Sequence, residues 1–355
     1  MEHLDQVKLE EFTEHMSDVL NGGMLALMTS IGYLTGLFDG MAGLAPATSA
    51  EVAVATGLQD RYVREWLDAM VTGGIVEYQP HHATYVLPPE HAALLTRDAG
   101  GNNMAAIAHT IPLLADVGSD IAACFRDGGG VAYDRFDEFL ELWSRLNKFR
   151  VENSLLSEVL PLLPDLRKAL EEGCDVLEIG CGEGYPTHIL AAEYPASRFV
   201  GYDFRQDVID FARTRATEHQ LSNVQFEVQD LNTMEVEAAY DAVLAFDVIH
   251  DQAQPRLVLR KVADVLQPDG MFLMVDIKAS SRPDENMDHP LGPFLYGTSV
   301  MHCMTVSLAL GGEGLGTMWG ERQAHELLAE AGFTSVEVHQ IDSDPFNNYY
   351  VARKA

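Results

Sequence analysis

The sequence has few cysteines, and they are scattered along its 355 residues: Cys124, Cys174, Cys181 and Cys303. They form neither a CxxC zinc motif nor the dense pattern of a disulfide framework. We therefore expect reduced thiols, as in proteins of reducing compartments.

Long apolar runs and a basic N-terminus are also missing. No run of about 18 apolar residues occurs, although a transmembrane helix needs roughly 20. The first residues, MEHLDQVKLEEF, are acidic where a signal peptide would be basic. These absences predict no membrane partner and a cytoplasmic location.

Positive charge is scarce, since 23 Lys and Arg residues face 54 Asp and Glu residues and give a formal net charge of −31. A surface of this sign repels phosphate backbones and anionic membranes. Nucleic acid is therefore not an expected partner. The apolar fraction of 47% is ordinary for a globular protein and argues against a disordered chain.

The first of three predicted regions, residues 1–98, has the pattern of a winged-helix domain. An apolar helix, MLALMTSIGYLTGLFDGM, comes first. TSAEVAVATGL follows, with Thr48 or Ser49 as N-cap ahead of Glu51 and a stop at Gly57. RYVREWLDAMVTGG predicts a third helix, and IVEYQPHHATYVL predicts two strands around a turn.

A winged helix often binds DNA, but the charges of this one argue against it. The helix over 59–72, which would enter the groove, has two arginines against three acids: Arg61 and Arg64, and Asp60, Glu65 and Asp68. A reading helix needs a positive surface for phosphates. We expect a dimerisation or lid domain and predict a homodimer through it. A ligand-sensing winged-helix regulator stays open as an alternative.

The second region, residues 99–167, is predicted to be a helical connector that lines a cleft. It contains the glycine stretch RDGGG and the aromatic run YDRFDEFLELWSRLNKF. We interpret these aromatic residues mainly as core residues, although connectors between domains often border a ligand site.

The third region, residues 168–355, alternates short apolar strands with helices, which predicts a parallel, doubly wound sheet. Its first strand runs into LEIGCGEG, a glycine turn that lets a ligand approach bare backbone. The next strand ends in Asp203, about 20 residues further on, where nucleotide-binding folds place a carboxylate for ribose hydroxyls. PRLVLRKVADVLQPDG predicts a helix closed by Gly270, and the final two strands predict an antiparallel hairpin.

The insertion over 280–320 is long for a crossover and rich in Met, Gly and small residues. Long insertions in compact domains are usually functional or disordered, and the apolar content argues against disorder. We interpret it as a substrate lid with four candidate wall residues: Tyr296, His302, Cys303 and Trp319. His250, His302 and Cys303 could bind a metal, but no ligand spacing supports this, so no metal is predicted.

These motifs resemble the class I S-adenosylmethionine-dependent methyltransferases. The resemblance lies in LEIGCGEG, the strand end at Asp203, QDL at 229–231, FDVIHD and the terminal hairpin. With its winged helix, the chain looks most like a bacterial and mycobacterial group, and it is more distantly similar to plant and antibiotic-pathway O-methyltransferases. A Rossmann-like sheet of seven strands is then implied, with S-adenosylmethionine as cofactor and a small-molecule substrate.

The resemblance also implies a set of cofactor-binding residues: Glu178, Gly180, Cys181, Gly182, Gly184, Asp203, Phe204, Asp230, Leu231 and Phe246. It places His250 at the position of the catalytic histidine, although the usual His-Asp-Trp reads His-Asp-Gln here. The unperturbed pKa of histidine, about 6.5, suits a general base for a hydroxyl acceptor. Asp247 or Asp251 could orient the ring. Two alternatives stay open: a histidine that only packs, and a thiol acceptor, which needs less help from a base.

Overall fold

A computed structural model describes residues 4–235 and 237–354. The chain packs as two compact units, Met1–Asp116 and Val117–Ala355. The division between them falls inside the predicted connector, so the predicted three-part organisation stays a prediction. Among the described residues, no helix is long and apolar enough to cross a membrane.

The first unit consists of helices and one small hairpin. Its elements are α1 Gln6–Thr35, α2 Leu37–Met41, α3 Ser49–Thr56, α4 Asp60–Thr72, β1 Glu77–Gln79, β2 Thr84–Val86, α5 Pro89–Leu95 and α6 Met104–Ala115. β1 and β2 pair antiparallel, as predicted. Of the two predicted N-caps of α3, Thr48 takes this position. Its hydroxyl accepts a hydrogen bond from the backbone N–H of Glu51, and the Glu51 carboxylate accepts one from the backbone N–H of Thr48. The predicted first helix is broken at Gly36, which takes a φ of 71° that favours glycine.

Helix α1 leaves a row of large apolar side chains uncovered. From Leu9 onward, its large apolar residues that are more than a third exposed recur mostly every three or four positions: Leu9, Phe12, Met16, Val19, Leu20, Met24, Leu27, Ile31 and Leu34. This spacing puts them along one side of the helix. A continuous apolar stripe of this length is unusual on a surface that faces only water.

The second unit is an α/β domain. Its helices are α7 Gly118–Asp127, α8 Asp137–Ser154, α9 Pro164–Glu172, α10 Tyr185–Glu193, α11 Gln206–Glu218, α12 Pro255–Val265, α13 Gly292–Thr298, α14 Met304–Ala309 and α15 Gly320–Glu330. Its strands are β3 Asp175–Ile179, β4 Arg198–Asp203, β5 Val224–Val228, β6 Tyr240–Phe246, β7 Leu266–Ile277, β8 Phe333–Ile341 and β9 Asp344–Lys354. One-turn 3-10 helices and the π-helices Leu155–Val159 and Ser299–Cys303 lie between them.

The seven strands form one sheet in the order β5-β4-β3-β6-β7-β9-β8. β3 to β7 are parallel, and β9 runs antiparallel to both β7 and β8. The predicted fold class is confirmed, including the C-terminal hairpin. Because the strand order reverses at β3, the carboxyl ends of β3 and β6 border the crevice in which such sheets bind ligands.

The helix predicted to close at Gly270 is shorter than expected. α12 ends at Val265, and Leu266 already pairs with Tyr240 in the sheet. Pro268 lacks the backbone N–H that a helix interior requires and restricts the residue before it, so the helix has to end earlier.

The insertion over 280–320 is folded and hydrogen-bonded to the loop that follows β6. The backbone N–H of Gly316 donates to the carbonyl of His250 (3.3 Å), and that of Glu313 donates to Ala253 (2.9 Å). The Ser307 hydroxyl donates to the carbonyl of Gln252 (2.9 Å). The insertion therefore supports the His250 loop directly, and its action as a lid stays a prediction.

Candidate active site

The glycine turn joins β3 to α10 at the crevice. Gly180, Gly182 and Gly184 have φ values of 59°, 51° and 71°, which bulkier residues rarely adopt. A Cβ on Gly184 would lie 2.5 Å from the Phe226 ring, so packing alone requires that glycine. A Cβ on Gly182 would meet no atom within 4 Å. The backbone at Gly182 therefore borders open space where a ligand can approach it.

Asp203 ends β4 beside this turn. Its two carboxylate oxygens accept from the backbone N–H groups of Gly182 and Arg205, each at 2.9 Å. Burial raises the pKa of Asp203, although these two hydrogen bonds oppose the rise. The two donors hold the carboxylate in place, and each oxygen keeps capacity to accept further hydrogen bonds.

Glu178 lies on β3, two residues before the turn, and is buried. One carboxylate oxygen accepts from the backbone N–H of Thr187 (3.1 Å) and from the Thr187 hydroxyl. Burial raises the pKa of Glu178 to about 8, against these hydrogen bonds. A cationic ligand in contact with Glu178 would favour its ionised form.

The other predicted cofactor residues lie at the ends of neighbouring strands. Phe204 follows Asp203 and is 54% exposed, whereas Cys181 and Leu231 are buried. Asp230 is exposed after β5 and accepts from the backbone N–H of Asn232 at 2.8 Å.

Phe246 is half-buried as the last residue of β6. The exposed ring of Phe204 and the open backbone at Gly182 are therefore the parts of this set that a ligand can reach without displacing core side chains.

His250 lies in the 3-10 turn Ile249–Asp251 after β6, and its ring is buried. Its Nδ1 is 2.8 Å from Oδ1 of Asp276, a buried residue of β7. The same oxygen accepts from the indole N–H of Trp319 (3.0 Å). Sequence reasoning missed Asp276, although one acid in the apolar run MFLMVDI was a signal that could have revealed it.

The other ring nitrogen of His250 faces a second carboxylate. Nε2 is 3.4 Å from Oδ1 of Asp251. Burial alone would lower the pKa of His250, but Asp276 and Asp251 outweigh it and raise the pKa well above the ordinary value. The two carboxylates therefore favour the protonated form of the ring.

Asp247 has a different partner. Its Oδ2 accepts from Nη2 of Arg150 on α8 (2.8 Å), and Arg150 also lies 3.5 Å from Asp344. The chain turns at Asp247 with a φ of 55°, and the backbone N–H of Asp247 donates to Val275 (2.9 Å). Of the two acids expected to orient His250, only Asp251 lies against the ring. Asp247 instead fixes the start of the loop through its hydrogen bond with Arg150. The sequence did not indicate the role of Arg150.

Three of the four predicted wall residues lie at the cluster of His250, Asp251 and Asp276. Nδ1 of His302 is 3.5 Å from Sγ of Cys303 and 4.0 Å from Oδ2 of Asp251. Trp319 contacts the cluster through Asp276. Tyr296 is separate, because its hydroxyl bonds with the amide of Asn286 (3.1 Å).

Aromatic residues of the predicted connector cover this cluster. The rings of Tyr133, Phe136 and Phe139 lie 5.7, 4.7 and 4.8 Å from the His302 ring, centroid to centroid. Tyr133 also contacts Phe204 at 5.2 Å. Phe136 and Phe139 are buried as predicted, but Tyr133 joins the Phe204 side of the site to the His302 side, a role that the sequence did not indicate.

Two family models match the chain. Residues 23–97 match the Rv2258c-like winged HTH domain, and residues 170–332 match a methyltransferase domain. The predicted resemblance is thereby confirmed: a winged HTH domain precedes a methyltransferase domain. The matched range contains the glycine turn, Asp203, His250 and Asp276.

Similar proteins have the same architecture. The chain is 27% identical to malonyl-[acyl-carrier protein] O-methyltransferase of Bacillus cereus over 147 residues, which are 41% of this chain and 49% of that protein. It spans less than half the length of that relative. The structure superposes on mitomycin 7-O-methyltransferase with a TM-score of 0.69 at 18% identity, covering 98% of this chain and 100% of the other. Human N-acetylserotonin methyltransferase in complex with SAM gives 0.64 at 18% identity, with coverage of 100% and 99%.

Proposed function

Because the chain carries a winged HTH domain followed by a methyltransferase domain of class I fold, we propose that it transfers a methyl group from S-adenosylmethionine to an oxygen atom of a small molecule. This proposal rests on the arrangement of side chains at the carboxyl ends of β3, β4 and β6. A glycine turn with two buried carboxylates lies beside a buried histidine held by a third carboxylate.

The cofactor residues fit S-adenosylmethionine by their chemistry. Asp203 would accept hydrogen bonds from the ribose hydroxyls, and Glu178 would lie near the ammonium of the methionine part. The open backbone at Gly182 and its neighbours Gly180, Cys181 and Gly184 would face that part. When bound, the cofactor supplies a methyl group on a positively charged sulfur.

The ends of the neighbouring strands would hold the rest of the cofactor. The exposed ring of Phe204 would flank the adenine, and Asp230 and Leu231 would hold its edge. Phe246 would lie near the sulfur end.

His250 and Asp276 act on the acceptor. Nε2 of His250 takes the proton of the acceptor hydroxyl, while Asp276 holds the proton on Nδ1 and stabilises the imidazolium that forms. Because two carboxylates raise the pKa of His250, the neutral ring that can act as a base becomes more abundant as the pH rises. Alignment of the acceptor with the methyl group supplies the other part of the rate.

The acceptor is proposed to lie at the aromatic residues beside His302. Tyr133 and Phe139 offer ring surfaces there, and His302 and Cys303 form the wall next to Asp251. Oxygen is favoured over sulfur for two reasons: the related malonyl-[acyl-carrier protein] enzyme is an O-methyltransferase, and a buried base is needed by a hydroxyl more than by a thiol.

The winged HTH domain is proposed to form a homodimer and not to bind DNA. Both arginines of its would-be reading helix pair with acids of the same helix, Arg61 with Glu65 (2.5 Å) and Arg64 with Asp60 (2.6 Å). The uncovered apolar row of α1 is suited to pack against a second copy, which would remove it from water.

The first prediction concerns the cofactor. S-adenosylhomocysteine should bind the purified chain. Asp203→Ala should raise the dissociation constant by about 10–100-fold, which is the usual effect of losing a hydrogen bond to a charged group. Near pH 7, S-adenosylmethionine should release protons on binding, because its ammonium favours the ionised form of Glu178, whose pKa is about 8. Calorimetry in two buffers of different ionisation enthalpy measures this release, which Glu178→Gln should reduce.

Asp210→Ala is the matched control, since this acid is exposed on α11. NAD that binds as tightly as S-adenosylhomocysteine would contradict the proposed cofactor.

The second prediction concerns the base. With a hydroxyl acceptor found by screening small phenols, catechols and alcohols for release of S-adenosylhomocysteine, His250→Ala should lower turnover by about 10²–10⁴. Wild-type turnover should rise with pH through the raised pKa of His250, because only the neutral ring accepts a proton. Asp276→Asn should move that rise to lower pH and reduce the plateau.

His219→Ala, at an exposed position on the end of α11, should leave turnover and its pH profile unchanged. Wild-type turnover by His250→Ala on the hydroxyl acceptor would remove the base from the proposal. If thiols alone are methylated and His250→Ala loses little, the reaction belongs to the thiol alternative.

The third prediction concerns assembly. Light scattering should give twice the chain mass of 39.1 kDa. Phe12→Glu combined with Val19→Glu should shift the protein toward monomer, because it places charges in the apolar row. Ser17→Glu adds the same charge at a polar position of α1 and should leave the dimer intact. A wild-type chain that stays monomeric at high concentration would refute this assembly.

A further inference from the structure

A set of metal-ligand atoms converges on the outer face of the His250 ring. One ligand atom each of His250, Asp251 and Cys303 lies within 4.8 Å of the other two. Since Nδ1 of His250 is taken by Asp276, the nitrogen that faces Asp251 is Nε2, 3.4 Å from Oδ1. His302 lies beside this set, with Nδ1 3.5 Å from Sγ of Cys303 and 4.0 Å from Oδ2 of Asp251.

The separations of His250, Asp251 and Cys303 are within reach of a zinc site. Zinc binds nitrogen and oxygen at about 2.0–2.1 Å and sulfur at about 2.3 Å, so its ligands lie roughly 3.3–3.8 Å from one another. The 3.4 Å between Nε2 of His250 and Oδ1 of Asp251 falls in that range, and Sγ of Cys303 lies within 4.8 Å of both residues' ligand atoms. His302 approaches Asp251 through the other carboxylate oxygen, Oδ2, and is not part of this convergent set.

The surroundings supply what a bound metal requires. A metal-binding histidine usually donates its other N–H to a carboxylate, which fixes the tautomer, and Asp276 accepts at Nδ1 in this way. Trp319 in turn donates to Asp276. Oδ1 of Asp251 is buried and has no hydrogen-bond donor among the described residues, so it has an acceptor site to offer. The rings of Phe136 and Phe139 pack against His302 beside this set.

We propose that Nε2 of His250, the Asp251 carboxylate and Sγ of Cys303 bind one divalent ion of the zinc class, with the fourth coordination position left to a solvent molecule. A set of imidazole, thiolate and a single carboxylate selects zinc or cobalt over magnesium or calcium, which prefer oxygen ligands. The sequence spacing gave no such indication, because the donors come from two separate segments.

The bound metal has a consequence for catalysis, which rests on the proposed function. It occupies the lone pair of Nε2 that takes the acceptor proton, so zinc blocks methylation of a hydroxyl acceptor. The metal site itself does not depend on that reaction, since it is measured without substrate.

The test titrates cobalt chloride into the chelator-treated full chain. One equivalent should bind and give the intense visible bands of four-coordinate cobalt together with a thiolate-to-cobalt charge-transfer band, and zinc should remove both. Cys303→Ser should lose the charge-transfer band. Asp276→Asn keeps all three protein ligands but should weaken binding by about 10–100-fold, as loss of a supporting carboxylate does.

Cys124→Ser is the matched control for a thiol outside the cluster and should keep the full spectrum. A wild-type chain that binds no stoichiometric cobalt, or a charge-transfer band that survives in Cys303→Ser, would overturn the site. Asp251→Asn gives a second test of the ligand set if Cys303→Ser fails to fold. S-adenosylhomocysteine binding by the metal-free chain separates failure of this site from failure of the proposed function.

Discussion

The arrangement of the candidate site depends on one buried carboxylate, that of Asp276. A charge in the centre of an apolar sheet costs several kcal/mol unless it is hydrogen-bonded and paired. Asp276 obtains its donors from three places: Nδ1 of His250, the indole of Trp319 and the backbone N–H of Ile277 (2.8 Å). All three donors go to Oδ1, and because they belong to the loop after β6, the insertion and β7, this one carboxylate oxygen links the three segments.

The same crevice contains more buried carboxyl groups than cations. Burial raises the pKa of Glu178, Asp203 and Asp247, which shows that each would be stabilised by additional positive charge. Arg150 compensates Asp247 and Asp344, and the His250 ring lies between Asp276 and Asp251. No cation among the described residues lowers the pKa of Glu178. A ligand that carries an ammonium and a sulfonium meets this need, and so does a metal ion at the outer face of His250.

Much of the fold could be predicted because its signals are local. The glycine turn, the strand end at Asp203 and the cap of α3 at Thr48 each lie within a few residues of what determines them. α12 was predicted too long because an apolar pattern continues through Leu266, and the effect of Pro268 was underestimated. The position of His250 could also be predicted, since it follows a strand end directly.

The partners of His250 could not be predicted in the same way. Asp276 and Arg150 reach the site from β7 and α8, and sequence spacing carries no information on which acid faces which base across a sheet. Asp251 and Asp247 were equal candidates in the sequence, and the left-handed turn at Asp247 separates them in the structure. Tyr133 was hidden in an aromatic run whose neighbours Phe136 and Phe139 are buried.

The most direct measurement of the central interaction is the pH titration of the His250 ring in the metal-free chain by ¹⁵N–¹H correlation, with His250→Gln to assign its signals. Two buried carboxylates should keep Nδ1 protonated and hold the pKa of His250 well above the ordinary value of about 6.5. Asp276→Asn should lower that pKa, because it removes the carboxylate bonded to Nδ1. A wild-type His250 that titrates at or below about 6.5, or whose pKa is unchanged in Asp276→Asn, would contradict the account.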